Sequence, residues 1–271
     1  MELVDTHCHI QSAGLNHGGE RTTQEVWAKK PELSGDTLVH SAVQDSVTRL
    51  IVVGCDLEDS KLACDFVQLR ENCWASIGIH PHEAKLYAGN DSLKQEFAEL
   101  TSKPKVVAIG ECGLDYYYNH SPKEAQVELL RYQIELALKS NLPLIFHVRE
   151  AYDDFWPIFD DYEGIRGVLH SFTDNADNLQ KALERNLYVG VNGIVTFARD
   201  PKQLEVYRSI PLTNLVLETD APFLTPIPHR GTINEPKHVV AVADYLARLQ
   251  RTDIKTVAEA TTHNARKLFG I

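Results

Sequence analysis

Short runs of branched apolar residues recur along this chain, and five of them stop at an imidazole or a carboxylate: LVDTHCH, VVAIGE, LIFH, GVLH and LVLETD. The residues at these stops are His7, His9, Glu111, His147, His170 and Asp220. Brief apolar runs are the signature of strands buried on both faces of a parallel sheet, and ligands of α/β enzymes gather beyond the carboxyl ends of such strands. Five strands that each deliver a metal-capable side chain to one end describe a metal centre.

Eight runs read as strands, at 3–7, 49–53, 74–79, 106–110, 144–148, 167–170, 188–191 and 214–217. Stretches of helical period separate them. The clearest helix is 122–140, where Val127, Leu130, Ile134 and Leu138 make one apolar stripe. Ser121 with Glu124 has the spacing of a capping box, and Pro122 suits the first helical position. Asn234 ahead of Pro236 marks another helix start. Eight strands alternating with helices fit a (β/α)8 barrel formed as a single domain over residues 1–271. The rival, a doubly wound open sheet, carries fewer strands and a glycine-rich first turn, and DTHCHIQSAG has neither a G-x-G-x-x-G nor a Walker pattern. The first βα connection, 11–35, is long for such a fold. Loops of that size are usually functional or disordered, so it reads either as a lid or substrate-contacting arm, or as a surface excursion without a role.

The chain is 43% hydrophobic over 271 residues, enough for one large core. Its formal net charge of −11 argues against a protein that coats nucleic acid through a basic surface. An enzyme that holds a nucleic-acid end in one cleft, with metal ions supplying positive charge, remains compatible. No leader-like segment and no run of about 18 apolar residues occurs, so a cytoplasmic protein is expected. The five cysteines have no C-x-x-C spacing and are expected free. Cys8 and Cys112 adjoin candidate ligands but read better as small buried residues packed behind the site.

His7 and His9 lie two apart on the first strand, so both side chains face the same way. An isolated H-x-H is weak evidence; it gains weight because Glu111, His147, His170 and Asp220 close four further strands. Imidazoles mixed with carboxylates suit zinc or manganese, and magnesium less naturally. Six ligands exceed the needs of one tetrahedral ion, so two divalent cations bridged by Glu111 are expected. Such a pair lowers the pKa of water toward ~7 and clamps the oxygens of a displacement, with Asp220 suited to receive the water's proton. Around this set, His80 and His82 follow the third strand, Arg149 lies two beyond His147, and His229, Arg230 and Asn234 follow the last. His80, His82, Arg149 and Arg230 suit an anionic substrate such as a phosphodiester, or the two arginines balance nearby carboxylates. Asp115, Tyr116 and Tyr117 either shape the pocket, with aromatics stacking on bases, or pack at its rim.

The motifs DTHCH, GIHPH, GECGLDYYY, HVREAYDD, HSFTDN, LETDAPFL, HRGTINEP and HNARKLF, in this order, resemble the TatD family of metal-dependent hydrolases within the amidohydrolase superfamily. The likeness covers roughly 1–10 and 49–271. It implies a TIM-type barrel, a two-metal centre and DNase activity, often removing nucleotides from a 3′ end. Carried over, the family's ligands are His7, His9, Glu111, His147, His170 and Asp220, with Glu111 where related hydrolases hold a carbamylated lysine. The sequence departs from the family in its longer first connection and in Asp174, where a glycine is common.

The leading reading is therefore a nuclease in which His80, Arg149 and Arg230 steady a phosphodiester, with DNA as substrate through single strands or 3′ ends. The alternative is a deacylase or amidohydrolase acting on aminoacyl-tRNA or on a small ester or amide, because the same centre serves attack on a carbonyl.

Overall fold

The computed structural model describes residues 1–15 and 22–271. The strands are β1 (Leu3–Cys8), β2 (Val47–Val53), β3 (Cys73–Ile77), β4 (Val106–Asp115), β5 (Leu144–Arg149), β6 (Gly167–Leu169), β7 (Tyr188–Val191) and β8 (Leu215–Leu217). The helices are α1 (Thr22–Trp27), α2 (Gly35–Gln44), α3 (Leu57–Gln68), α4 (Ala84–Tyr87), α5 (Asp91–Glu99), α6 (Lys123–Ser140), α7 (Tyr152–Asp160), α8 (Ala176–Glu184), α9 (Pro201–Ser209), α10 (Val239–Leu249) and α11 (Ile254–Phe269). All eight strands belong to one sheet in the order of the chain, β1 to β8. The parallel bridge Cys8–Ala221, just past β8, brings the end of the last strand back to β1. This is the (β/α)8 arrangement expected from the sequence.

The chain divides into two compact units, Met1–Val52 with Ser171–Lys267, and Val53–His170 with Leu268–Ile271. In the first, α10 packs on β1 and β8 through Val239, Val242, Ala243, Leu246 and Ala247, the i, i+3, i+4, i+7, i+8 stripe of an amphipathic helix. Part of the long first connection, 16–21, lies outside the described residues. The described part is anchored at one point. Trp27 of α1 is 1% exposed and donates its indole N–H to the carbonyl of His9 at 2.9 Å.

In the second unit α6 packs on β4, and its buried side keeps Leu130 and Ile134 of the expected stripe but not its two ends. Val127 is only half-buried and Leu138 is exposed, whereas Gln126, Leu129, Leu130, Gln133, Ile134 and Ala137 are buried. The reason is that two glutamines serve backbone groups at the strand ends. Gln133 accepts from the N–H of Ile79 (2.9 Å) and donates to its carbonyl (3.0 Å). Gln126 does the same for Asp115, at 2.8 and 3.2 Å. The expected capping box is also absent: Pro122 is the N-cap residue, and the Ser121 hydroxyl donates to the carbonyl of His82 at 2.6 Å and accepts from Lys85 N–H.

The strands outrun their apolar stretches. β4 continues to Asp115 and β5 to Arg149, with Gly113 paired to His147 and Asp115 to Arg149, so Glu111 and His147 sit within strands rather than past their ends. Gly113 makes this close pairing feasible: its φ is 151°, and a Cβ there would lie 1.8 Å from the carbonyl oxygen of His147.

Candidate metal centre

In the first unit, His7 lies within β1, His9 just beyond it, and Asp220 three residues past β8. The Nε2 atoms of His7 and His9 face each other at 3.1 Å, and Asp220 Oδ1 lies 3.7 and 3.4 Å from them. Both histidines are buried. Asp220 adopts left-handed backbone (φ 61°), a region aspartate tolerates better than most residues, and its N–H donates to the carbonyl of His7 at 2.8 Å. Asp5 underlies this corner. Fully buried, it accepts from the Thr219 hydroxyl (2.6 Å), Thr219 N–H (2.9 Å) and His7 N–H (3.2 Å). Burial pushes its carboxyl up to about 8, against the pull of those hydrogen bonds.

In the second unit, Glu111 Oε1 is the meeting point. His147 Nδ1 lies 2.7 Å from it, His80 Nε2 3.6 Å and His170 Nε2 3.7 Å. Donor atoms of His80, Glu111 and His147 all lie within 4.8 Å of one another. The two histidines differ in what their remaining nitrogens do. His80 Nδ1 accepts from the N–H of His82 at 3.2 Å, which fixes the neutral tautomer with its proton on Nε2. Burial, with His147 alongside, holds His80 well below the usual histidine range and keeps it uncharged. His147 Nε2 meets Asp115 Oδ2 at 3.0 Å, so this nitrogen carries the proton and Nδ1 is left for a cation. Burial opposes charge on His147, but without a cation the hydrogen bonds to Asp115 and Glu111 push it up to about 9. Asp115, also fully buried, would be raised by burial; hydrogen bonds from His147, His82 and the N–H of Tyr118 hold it well below the usual carboxylate range.

The expected substrate contacts are more engaged than the sequence suggests. The Arg149 guanidinium lies over Tyr117 and Tyr118, at 4.1 and 4.7 Å from the ring centres. Arg230, in the first unit, lies over Phe197 at 4.0 Å and donates to the carbonyl of Thr225. Tyr116 donates its hydroxyl to Asp154 at 2.8 Å, and His82 Nε2 lies 3.0 Å from Asp115 Oδ2. His229 stacks on His238 at 4.1 Å, and Asn234 donates to the carbonyls of Thr219 and Phe223. Asp174 accepts from Asn175 N–H and the Asn178 amide at the start of α8, so its charge is occupied there.

None of the five cysteines is in a disulfide. Cys8 and Cys112 direct their thiols to the carbonyls of Ile51 and Ile145. Sequence reasoning missed Cys55, whose Sγ lies 4.0 Å from Glu111 Oε2, and the roles of Asp5 and Asp115. The motif DTHCH already held a signal for Asp5, since a carboxylate two residues before H-x-H is costly to bury without a local partner.

The donor chemistry fits divalent cations. Facing imidazole nitrogens with a carboxylate oxygen within 4 Å of both aim at one point, and a carboxylate ringed by three imidazoles aims at another. The profile of a family described as TatD related DNase matches residues 4–270. The chain belongs to that family. It is similar to the uncharacterized metal-dependent hydrolase YabD of Bacillus subtilis, 36% identical over 99% of each chain. It is also similar to the 3′-5′ ssDNA/RNA exonuclease TatD of Shigella flexneri, 33% identical over 87% of this chain and 93% of that one. Among solved structures, the TatD homologue YjjV of Escherichia coli K12 superposes with a TM-score of 0.84 at 26% identity, covering 99% of this chain and 98% of the other. As a TatD-family protein, the chain is a metal-dependent hydrolase. Among the described residues no helix is long and apolar enough to cross a membrane.

Proposed function

We propose that this TatD-family hydrolase is an exonuclease that removes nucleotides from the 3′ end of single-stranded DNA. Residues 1–271 act as one hydrolase domain. His7, His9 and Asp220 of the first unit, and Glu111, His147 and His170 of the second, would hold two divalent cations. The observation that carries the reading is that His147 Nδ1 and His170 Nε2 both face Glu111 Oε1, because a carboxylate set among imidazole nitrogens suits a divalent cation. The exonuclease name of the Shigella relative supports the substrate class. Cations held there, of the zinc or manganese type, would supply water activation and positive charge for the phosphoryl oxygens. Asp220 Oδ1 takes the proton of the attacking water. His80, neutral and protonated at Nε2, donates to a non-bridging oxygen of the phosphodiester. Asp115 keeps the His147 ring oriented so that Nδ1 faces the cation. Arg230 contributes positive charge for the phosphate backbone.

The test uses metal-stripped protein resupplied separately with Mg²⁺, Mn²⁺ or Zn²⁺ and given 3′- or 5′-labelled single-stranded DNA. The expected result is a metal-dependent ladder that shortens from the 3′ end. In Glu111→Ala the ladder should vanish and metal content fall. No cleavage from a protein that binds two ions would overturn the nuclease reading in favour of an acyl or amide hydrolase. Full activity in Glu111→Ala would overturn the assignment of Glu111 as a metal ligand.

A further inference from the structure

The turn after β4 exposes two large aromatic side chains, Tyr117 at 54% and Tyr118 at 51%. Their rings meet edge to face, 4.8 Å apart at 90°, and the Arg149 guanidinium covers both. His120 stacks nearly parallel to Tyr118, 5.8 Å away at 10°. The group is held rigidly. Asp115 Oδ1 accepts from the N–H of Tyr117 (3.1 Å) and of Tyr118 (3.0 Å), and Tyr116 N–H donates to the carbonyl of Arg149 at 3.0 Å. Its rings also run into the candidate centre: Tyr118 to His82 at 5.6 Å, His82 to His80 at 4.2 Å, and His80 to His147 at 4.5 Å.

Exposed, preorganised tyrosines beside an arginine are a poor solution for stability, since the rings leave much apolar surface in water. They are a good solution for binding unpaired bases. Every base has a π-face that stacks on an aromatic ring without regard to sequence, and a stacked guanidinium adds cation–π attraction while its outer N–H groups reach phosphate oxygens. We propose that Tyr117, Tyr118 and Arg149 form a stacking platform for the bases next to the 3′ end of a single-stranded polynucleotide whose terminal phosphodiester enters the cluster of His80, Glu111 and His147. The proposal rests on the exonuclease reading and assigns it a specificity: the platform demands unstacked, unpaired bases. A duplex end, whose bases stack on one another, offers it nothing.

The experiment compares an oligothymidylate with one carrying abasic sites in its last three positions. Equilibrium binding is measured on metal-stripped protein, and 3′ cleavage on the metal-loaded protein. Wild-type protein should bind the intact oligonucleotide at least about tenfold more tightly than the abasic one. Tyr118→Ala should lose most of that discrimination, and Tyr118→Phe, which keeps the ring, should retain it. A 2-aminopurine in the terminal region should be quenched on binding wild type and Tyr118→Phe, and much less on binding Tyr118→Ala. A 3′ ladder that forms with equal binding of both oligonucleotides would overturn the platform while leaving the exonuclease reading intact. Absence of any ladder would remove that reading, and the platform with it.

Discussion

At the scale of single residues, the chemistry depends on side chains that never touch a cation. Asp5 gathers Thr219 and the backbone of His7 into one buried knot, and Asp220 follows Thr219 directly. Replacing Asp5 with Ala strands those donors, so metal affinity should fall roughly 10- to 100-fold, read by chelator competition. Asp5→Asn keeps an acceptor and should lose less. Equal affinity in Asp5→Ala and wild type would show that the ligands stand without the knot. Residue types alone singled out the six candidate ligands, because histidine and carboxylate at the end of a buried run have few structural excuses. The duties of Asp5 and Asp115 were not legible. Each depends on which strand lies alongside, and a single sequence does not display its pairings.

At the scale of elements, strand positions could be read closely and strand lengths could not. Apolar composition ends at Gly110, yet β4 runs on to Asp115, since the backbone pairing with β5 continues after the apolar side chains stop. Helix α6 misled in another way. The stripe Val127, Leu130, Ile134, Leu138 finds the buried face at Leu130 and Ile134 but drifts off it at both ends, because Gln126 and Gln133 share that face and a hydrophobic pattern gives no weight to a glutamine that satisfies backbone groups. Gln133→Leu should therefore destabilise the protein by about 2 kcal/mol or more despite its greater apolarity, because the N–H and carbonyl of Ile79 lose their partners. Chemical denaturation measures this. An unchanged or increased stability would mean that water or repacking serves Ile79 instead.

At the scale of the whole molecule, a net charge of −11 sets an acidic background on which a polyanionic substrate must be met by local cations. The same scale governs acid stability. His238 is 6% exposed and stacks on His229, and burial pushes it down to about 3 from its ordinary 6.5. Between those values the unfolded chain takes up a proton that the folded protein refuses, so this contribution is complete above 6.5 and is lost as pH falls toward 3. Wild type should thus lose more thermal stability than His238→Gln when melts at pH 7.5 and pH 5 are compared. Parallel losses in both proteins would mean that other groups carry the acid response.

The two oxygens of Asp115 also have a consequence for how such an enzyme diversifies. One oxygen fastens the His147 and His82 rings; the other fastens the backbone of Tyr117 and Tyr118. The reaction machinery and the aromatic turn thus share an anchor without sharing side chains. Changes within residues 116–120 should therefore leave the His147 ring in place so long as Asp115 is kept.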